Sequence, residues 1–415
     1  MLIPLLLLLT ADIDLTLALN NGFTTPAMGY STWNDCSSMR DNGPQGWCWN
    51  SEDHVKNVTL YFKSSGLFHL GYNRINIDEG WLKGRYTNGS LYEDVEKFPS
   101  GMKGLGDWIK SQGFHYGLYT CRGTCQCSTG TYSATGSYGY EKEDVDWMVQ
   151  AGADYLKVDS CCGSQDHATA FSDYAKFRDA MNATGKQVWF SLCGWESWYA
   201  PVGASLGNSW RIAGDGSGWA PLTNCMNVQA SVATYSGLGG WNDPDLLIGP
   251  KVYVGGQTDA QARAQFSMWC LFPANLLISQ NVLQWTDYAL ETYSNAEAIA
   301  INQDSLGSPA QRVAGTDLTY PCSPSPSQPC TNIWGRRLSN NRYAMGFVNN
   351  GNSPTNITCD ASCFAKFLSS SSSPKSVTIR DVWSHADVAK LTEPFTFTAP
   401  VDGSGFAALF TIVPN

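Results

Sequence analysis

Short apolar runs that end in polar residues recur along roughly the first 300 residues and alternate with amphipathic stretches. Apolar runs of this length predict buried strands, whereas amphipathic stretches with a period near 3.6 residues predict helices. The predicted strands are 26–33, 72–78, 116–120, 155–159, 188–193, 210–214, 240–247 and 276–280, and the helical stretches include 51–65, 141–151, 167–181 and 258–272. Eight strands with intervening crossovers predict an α/β fold, a (β/α)8 TIM barrel.

A doubly wound parallel sheet would also fit this alternation. Such a sheet usually has fewer strands, and a glycine-rich phosphate loop usually follows its first strand. The sequence after the run at 26–33 contains no such loop. The pattern therefore favours the barrel.

The composition and the apolar pattern of the sequence change after residue 304. The segment 321–330 is rich in Pro and Ser, 369–374 is mostly Ser, and the segments 342–348 and 395–398 are strand-like. This pattern is typical of a small antiparallel β-sandwich. We predict a catalytic barrel over 19–307 and a C-terminal β-sandwich domain over 308–415.

Several features indicate the secretory pathway. The apolar block 2–9 is too short to span a bilayer and resembles the core of a signal peptide, which we place at 1–18 with the small residue Ala18 near its cleavage site. No later stretch is long and apolar enough to be transmembrane. The chain has 14 cysteines, and N-x-S/T sequons begin at Asn57, Asn88, Asn182 and Asn356. These features predict a glycoprotein that is secreted or reaches a lysosome or vacuole.

Charge and aromatic content narrow the class of partner. The net charge is 26 − 36 = −10, which speaks against binding to nucleic acid or to an anionic membrane surface. Aromatic residues make up 13% of the chain, including 16 Trp. Aromatic rings stack on the apolar faces of sugar rings, so a carbohydrate is a partner to consider.

Acidic residues follow the predicted strands. Six carboxyl groups stand at or just after strand ends: Asp78, Glu79, Asp159, Asp215, Asp243 and Asp245. In a barrel the carboxyl ends of the strands form the open face where catalytic groups collect. Two such acids could serve as the nucleophile and the general acid of glycoside hydrolysis.

Asp159 is the best placed of these acids, because Lys157 leaves the same face of its strand and favours the ionised carboxylate. Metal-dependent hydrolysis is the competing use of clustered acids. The five His residues stand at no matching strand end and form no HExxH motif, so we predict no metal site.

Seven motifs in order give the chain a resemblance to a known family. They are MGYSTWN at 28–34, NIDEGW at 76–81, the tripeptide Gly-Leu-Tyr at 117–119, YLKVDSC at 155–161, SWRIAGD at 209–215, GWNDPD at 240–245 and AINQD at 300–304. Over nearly all of its mature length the chain resembles glycoside hydrolase family 27, the retaining α-galactosidases and α-N-acetylgalactosaminidases.

The resemblance implies a role for each matching residue. Asp159 would be the nucleophile and Asp215 the acid/base. The substrate contacts would be Trp33, Asp78, Glu79, Tyr119, Lys157, Trp195, Arg211 and Asp245. The implied substrate is a carbohydrate with a terminal α-galactose, and no cofactor is implied.

Some positions depart from the family pattern and leave the sugar open. Glu79 stands where the family usually has Asp, and its extra methylene could crowd the 4- and 6-hydroxyl corner and favour a β-L-arabinopyranoside. Gly194 replaces a Glu found in many α-galactosidases. Together with Ser197, Gly194 could leave room for the 2-acetamido group of an α-N-acetylgalactosaminide. Tyr30 replaces a usual Trp, and Gly80 replaces a usual Cys.

The cysteines suggest a set of disulfides. In the frame of the resemblance we expect Cys127 to pair with Cys161, Cys121 with Cys162, and Cys36 with Cys48, since Gly80 removes the usual partner of Cys36. Cys322 with Cys330 and Cys359 with Cys363 are close enough in sequence to close small loops.

Two other functional classes fit the sequence less well. A catalytically silent sugar-binding protein would have no need for both Asp159 and Asp215. A structural glycoprotein would leave six clustered acids as an unexplained electrostatic cost. The sequence therefore favours an enzyme.

Overall fold

The structure is a computed structural model that describes residues 22–35, 50–127, 135–250, 256–325, 329–368 and 374–415. The predicted signal peptide at 1–18 and the predicted pair Cys36 and Cys48 lie outside the described residues.

Within the described ranges, ten strands precede residue 280, and eight of them form one parallel sheet in the order β10-β1-β2-β5-β6-β7-β8-β9. The strands are β1 (Met28–Ser31), β2 (Arg74–Asn76), β3 (Leu82–Arg85), β4 (Leu91–Glu93), β5 (His115–Cys121), β6 (Tyr155–Asp159), β7 (Trp189–Cys193), β8 (Ser209–Arg211), β9 (Trp241–Asp243) and β10 (Leu276–Ile278). A parallel bridge between Leu247 and Ile278 closes the sheet. The predicted barrel and all eight of its strands are confirmed, and β3 and β4 form a separate hairpin.

Before residue 303, nine helices lie between these strands or after the last of them in the part of the chain that the structure describes. They are α1 (Glu52–Ser64), α2 (Gly101–Ser111), α3 (Glu141–Gln150), α4 (His167–Ala183), α5 (Ala200–Leu206), α6 (Trp219–Val232), α7 (Asp259–Leu271), α8 (Asp287–Tyr293) and α9 (Ala296–Asn302). Side chains cap the N-termini of several of these helices. Ser51 caps α1, Asp166 caps α4, and Thr258 and Gln261 form a capping box on α7.

The C-terminal part is antiparallel. It contains β11 (Gln311–Gly315), β12 (Thr331–Arg337), β13 (Tyr343–Asn349), β14 (Thr355–Cys359), α10 (Ala361–Phe364), β15 (Ser376–Asp381), β16 (Ala386–Thr392), β17 (Phe397–Val401) and β18 (Phe406–Pro414). A six-stranded sheet, β11-β12-β13-β18-β15-β16, packs against the pair β14-β17 across a buried apolar layer that includes Phe347, Phe397 and Phe410. The predicted β-sandwich is confirmed, and the predicted boundary at 307/308 falls between α9 and β11.

The two parts share one core. Helix α7 packs on the sandwich, and a Cβ placed on Gly346 of β13 would approach Leu271 to 2.8 Å. Buried Arg336 of β12 donates hydrogen bonds to the carbonyl oxygens of Ser308, Cys270 and Ile301. Since these contacts are buried, they fix the sandwich on the barrel.

Two small disulfide-closed loops belong to the C-terminal part, Cys322–Cys330 and Cys359–Cys363, as expected from their spacing. Among the residues that the structure describes, no helix is long and apolar enough to cross a membrane.

Candidate active site

A cavity of about 490 Å³ opens at the carboxyl ends of the barrel strands. Its walls are Trp33, Asn34, Asp78, Cys127, Lys157, Asp159, Cys161, Cys193, Trp195, Arg211, Gly214, Asp215, Gly216, Ser217, Asp245 and Leu246. Eight of the ten residues proposed from the sequence for catalysis and substrate contact are among them. The other two, Glu79 and Tyr119, are each only 1% exposed and lie behind the wall.

The sequence reasoning did not name several of these wall residues, among them Gly214, Gly216, Ser217 and Leu246. Each is adjacent to Asp215 or Asp245 or two residues from it. Their nearness to a strand-end acid is the signal that could have found them, because the same β-to-α loop must carry them to the open face.

Asp159 ends β6 and is held on both oxygens. Its Oδ1 accepts a hydrogen bond from the Ser160 backbone N–H at 3.1 Å, and its Oδ2 accepts one from the Tyr119 hydroxyl at 3.2 Å. Burial raises the pKa of Asp159 to about 6, Lys157 opposes the rise, and the charges of Asp215 and Asp78 add to it. A carboxyl group with this pKa is mostly ionised at neutral pH and becomes protonated below about pH 6.

Lys157 and Asp78 form an ion pair in the floor of the cavity. Lys157 Nζ lies 2.9 and 3.2 Å from the two carboxylate oxygens of Asp78 and sits over the rings of Trp33 and Tyr119. Burial lowers the pKa of Lys157, but the surrounding negative charges, Asp78 first among them, together outweigh burial and raise it. Lys157 therefore stays charged and can donate hydrogen bonds to hydroxyl groups.

Arg211 joins two acids of contrasting exposure. Its Nη2 lies 3.0 Å from Asp245 Oδ2 and 3.2 Å from Asp215 Oδ1, while the side chain of Asp215 is 64% exposed and that of Asp245 only 7%. The backbone N–H groups of Gly216 and Leu246 also donate to Asp245. Asp245 is thus fixed, whereas the Asp215 carboxyl group is open to water.

Two disulfides tie the loop after β5 to the loop after β6. They are Cys127–Cys161 and Cys125–Cys162. The prediction that Cys121 pairs with Cys162 was wrong, because Cys121 is the last residue of β5, in register with Asp159, and stays a buried free thiol.

Within the described ranges, one group of side chains has the spacing of metal ligands: the sulfurs of Cys121, Cys127 and Cys161 lie within 4.8 Å of one another. Two of these sulfurs are bonded to each other and are not available as thiolates.

The Tyr199 ring packs against the back of the loop that follows β7. A Cβ placed on Gly194 would lie 2.0 Å from the ring of Tyr199, which is fully buried. The Tyr199 ring thus occupies the space beside Gly194. Neither Gly194 nor Ser197 lines the cavity. Trp195, the next residue along, does, with a positive φ of 61°.

Substitution of Gly194 by alanine is expected to lower the free energy of unfolding by about 2 kcal/mol or more, because the new methyl group must displace a packed ring. Chemical denaturation at neutral pH would measure this loss. The matched control is Gly214→Ala, where an added Cβ would contact nothing within 4 Å. Equal losses in both variants would contradict the packing described for Tyr199.

A glycoside hydrolase requires a pair of carboxyl groups beside the bond that it cleaves. The open face of this barrel carries such a pair, with one carboxyl group buried and one exposed. Comparison with known proteins agrees with this class. A family model described as alpha galactosidase A matches residues 25–304, and a model of the alpha galactosidase C-terminal beta sandwich domain matches 328–410.

The chain is also similar to alpha-galactosidases along most of its length. The chain is 35% identical over 390 residues to alpha-galactosidase 3 of Arabidopsis thaliana, covering 93% of this chain and 82% of the relative. It is 32% identical to an alpha-galactosidase of Oryza sativa subsp. japonica, covering 96% and 87%. The solved structure of alpha-galactosidase I from Mortierella vinacea superposes with a TM-score of 0.82 at 28% identity, covering 95% and 99%. The chain belongs to the alpha galactosidase A family and is a glycoside hydrolase.

Proposed function

We propose that the protein is a retaining exo-α-galactosidase that releases terminal α-D-galactosyl residues from oligosaccharides, glycoconjugates or polysaccharides. The observation that carries the proposal is the contrast of Asp159 and Asp215 in one cavity. Asp159 is buried with each oxygen accepting a hydrogen bond, whereas Asp215 is mostly exposed. Family membership and the alpha-galactosidase relatives support the choice of sugar.

In the first step Asp159 is the nucleophile and Asp215 the acid. A carboxylate oxygen of Asp159 forms a bond to the anomeric carbon as the bond from that carbon to the leaving oxygen breaks. The proton of Asp215 passes to the leaving oxygen, so the aglycone departs as a neutral alcohol.

In the second step Asp215 acts as the base. The Asp215 carboxylate takes a proton from water, whose oxygen bonds to the anomeric carbon from the side that the aglycone left. Asp159 is released as a carboxylate, and galactose leaves with its anomeric configuration retained. These two steps use only the two carboxyl groups and water.

The remaining wall residues are suited to hold the sugar. Asp78 can accept hydrogen bonds from ring hydroxyls, and Lys157 and Arg211 can donate them. Trp33 and Trp195 offer flat apolar surfaces for the ring and the aglycone. Because the ion pairs of Lys157 and Arg211 already fix these groups, binding needs little side-chain ordering.

One rival sugar receives less support from the geometry. Room for the 2-acetamido group of an α-N-acetylgalactosaminide was expected beside Gly194, but the Tyr199 ring fills that space. For a β-L-arabinopyranoside, crowding by Glu79 was expected, and the Glu79 carboxylate lies 3.4 Å from the Tyr119 hydroxyl at the back of the cavity. Family membership and the alpha-galactosidase relatives support α-galactose as the preferred sugar.

A comparison of three aryl glycosides on one preparation tests this choice. We expect kcat/KM for the α-galactoside to exceed that for the α-N-acetylgalactosaminide and the β-L-arabinopyranoside by at least about tenfold, since rejection by steric clash is worth more than one methylene. A tenfold preference for either rival would refute the proposed sugar and leave the two catalytic roles unchanged.

We also propose that the chain passes through the secretory pathway to the extracellular space, a lysosome or a vacuole. Four disulfides in the described residues support an oxidising compartment. The four sequon asparagines, Asn57, Asn88, Asn182 and Asn356, are all exposed, so each could carry a glycan. Mass spectrometry of the secreted protein before and after glycan removal would test both points.

A further inference from the structure

The turn between β3 and β4 carries one of the four sequons, Asn88-Gly89-Ser90. The Tyr86 backbone N–H donates to the Ser90 carbonyl oxygen at 2.8 Å, and the Gly89 N–H donates to the Tyr86 carbonyl oxygen at 2.9 Å. Gly89 has a positive φ of 89°, which glycine adopts without strain. The turn is a three-residue hairpin loop that ends in a left-handed glycine, and it places Tyr86 and Ser90 opposite each other.

The side chain of Asn88 is held by Ser90. Its Oδ1 accepts a hydrogen bond from the Ser90 backbone N–H at 3.1 Å and another from the Ser90 hydroxyl at 2.8 Å. Both bonds engage Oδ1 and leave Nδ2, the atom to which an N-glycan is attached. Residues opposite each other in a hairpin project their side chains from the same face. Ser90 therefore holds the Asn88 amide on the face from which the Tyr86 side chain projects.

That face of the hairpin carries an exposed aromatic ring. Tyr86 is 59% exposed, although its ring centroid lies only 4.7 Å from that of Tyr92. Side chains alternate along a strand, and on the opposite face Arg85 pairs with Asp144 of α3 at 2.6 Å. An exposed ring beside a glycan attachment atom offers an apolar surface that a sugar ring can cover.

We propose that Asn88 carries an N-glycan whose first N-acetylglucosamine packs on the Tyr86 ring and stabilises the β3–β4 hairpin. This inference rests on the proposed passage of the chain through the secretory pathway. The apolar C–H face of a sugar ring suits the face of an aromatic ring. The contact removes apolar surface from water only while the hairpin is folded, so it favours the folded hairpin.

The modification is a group transfer to the side-chain amide. Nδ2 of Asn88 forms a bond to the anomeric carbon of the first N-acetylglucosamine and gives up one proton. The bond from that carbon to the diphosphate of a lipid-linked oligosaccharide donor breaks at the same time, and the lipid diphosphate leaves with the electron pair. The hydroxyl of Ser90, two residues after Asn88, completes the acceptor sequence.

The other three sequons lack this arrangement. Two of their asparagines lie on helices, α1 and α4, and the third lies on β14. None of them has an aromatic residue two positions earlier, where the chain has Val55, Ala180 and Pro354. Glycans at these sites therefore serve as internal controls for the effect expected at Asn88.

A second pair of rings lies near the same turn. A cavity of about 290 Å³ is lined by Asn88 together with Tyr140 and Trp147, among other residues. A glycan that entered this cavity would leave the Tyr86 ring uncovered. The two hydrogen bonds from Ser90 to Asn88 favour the Tyr86 side, and the variant Tyr140→Ala separates the two positions.

Hydrogen exchange of the hairpin amides in the secreted protein tests the inference, read by mass spectrometry on peptides that span 82–93. Endoglycosidase H leaves the first N-acetylglucosamine on Asn88, so exchange should stay as it is with the whole glycan. Peptide N-glycosidase removes that sugar too, and exchange should become about 2- to 10-fold faster, because the hairpin opens more often without the contact. The same acceleration is expected in Tyr86→Phe, which keeps the ring, and almost none in Tyr86→Ala.

The comparison isolates the ring. Peptide N-glycosidase converts Asn88 to aspartate in every variant, so only residue 86 differs among the wild type, Tyr86→Phe and Tyr86→Ala. Three results would overturn the inference: equal acceleration in the wild type and Tyr86→Ala, loss of the effect in Tyr140→Ala instead, or an acceleration that endoglycosidase H already produces.

Glycan mapping of the same preparation separates this inference from the proposed route. If Asn88 is bare while another of the four sequons carries a glycan, this inference is refuted and the secretory route stands. If all four sequons are bare, the proposed route is refuted and the inference falls with it. A glycan on Asn88 with the expected exchange pattern supports both.

Discussion

Replacement of Asp159 by asparagine is expected to lower kcat by about 10⁴-fold or more on every glycoside, because the amide cannot form the covalent bond to the anomeric carbon. The fold should be unchanged, since asparagine has the same shape and can still accept the hydrogen bond from Tyr119. Steady-state rates with an aryl α-galactoside, together with circular dichroism, would check both parts.

The same variant should be more stable at neutral pH. The folded-state pKa of Asp159 is raised from 3.8 to about 6, so between these values the folded chain binds more protons than the unfolded chain. The free energy of unfolding therefore falls as pH rises through this window, and the buried carboxylate destabilises the enzyme above pH 6. Asparagine removes that cost, so the free energy of unfolding at pH 7 should rise by about 1 to 3 kcal/mol, with no gain at pH 4.

A matched control is available on the same loop. Asp166 is exposed and caps α4 by accepting from the Thr169 backbone N–H. Asparagine caps helices about as well as aspartate, so Asp166→Asn should leave both kcat and stability nearly unchanged. If Asp159→Asn destabilised the protein at pH 7 relative to pH 4, the account of the buried carboxylate would be wrong.

Replacement of Asp215 by asparagine is expected to separate substrates by their leaving groups. For an alkyl or oligosaccharide α-galactoside kcat/KM should fall by about 10³- to 10⁴-fold, because the leaving oxygen no longer receives a proton. For 2,4-dinitrophenyl α-galactoside the first step needs no acid and kcat/KM should fall far less. The second step then lacks its base, so a burst of dinitrophenol should precede slow turnover.

Azide provides the control for this variant. As an anion it needs no base, so it should restore turnover of the dinitrophenyl substrate in Asp215→Asn and form an α-galactosyl azide at the expense of galactose. It should do little for the wild type. Equal losses on both substrates, with no burst and no azide effect, would contradict the acid/base role.

The barrel could be predicted from the sequence because its strands are short buried apolar runs with clear polar ends. Five helices of the barrel, α2, α5, α6, α8 and α9, were not among the stretches named from the sequence, and for α2 and α5 the composition explains why. Helix α2 contains Gly101, Gly104 and Gly106, and α5 contains Pro201 and Gly203, which have low helix propensity. Packing sets these helices instead: a Cβ on Gly203 would lie 2.1 Å from the Trp210 ring.

The sequence also predicts which acidic residues gather at the site. It does not predict which side chains line the cavity directly and which lie at its back. Strand-end position brought Asp159, Asp215 and Asp245 to one face, because every parallel strand of the barrel ends there. Whether Glu79 reaches the cavity depends on side-chain direction beyond the strand end.

Three predicted disulfides, Cys127–Cys161, Cys322–Cys330 and Cys359–Cys363, are confirmed. Among the predicted pairs in the described residues, only the partner of Cys162 was wrong, because Cys121 and Cys125 are four residues apart and the extent of β5 decides which one meets Cys162.

Trapping of the covalent intermediate tests the central claim most directly. A fluorinated α-galactoside with a dinitrophenyl leaving group should react once, because fluorine slows release of the sugar more than loss of the good leaving group. Mass spectrometry of the peptides should then find one fluorogalactosyl group on the peptide that contains Asp159, and none in the Asp159→Asn variant. A label on another residue, or full turnover to β-galactose with no label at all, would contradict the account.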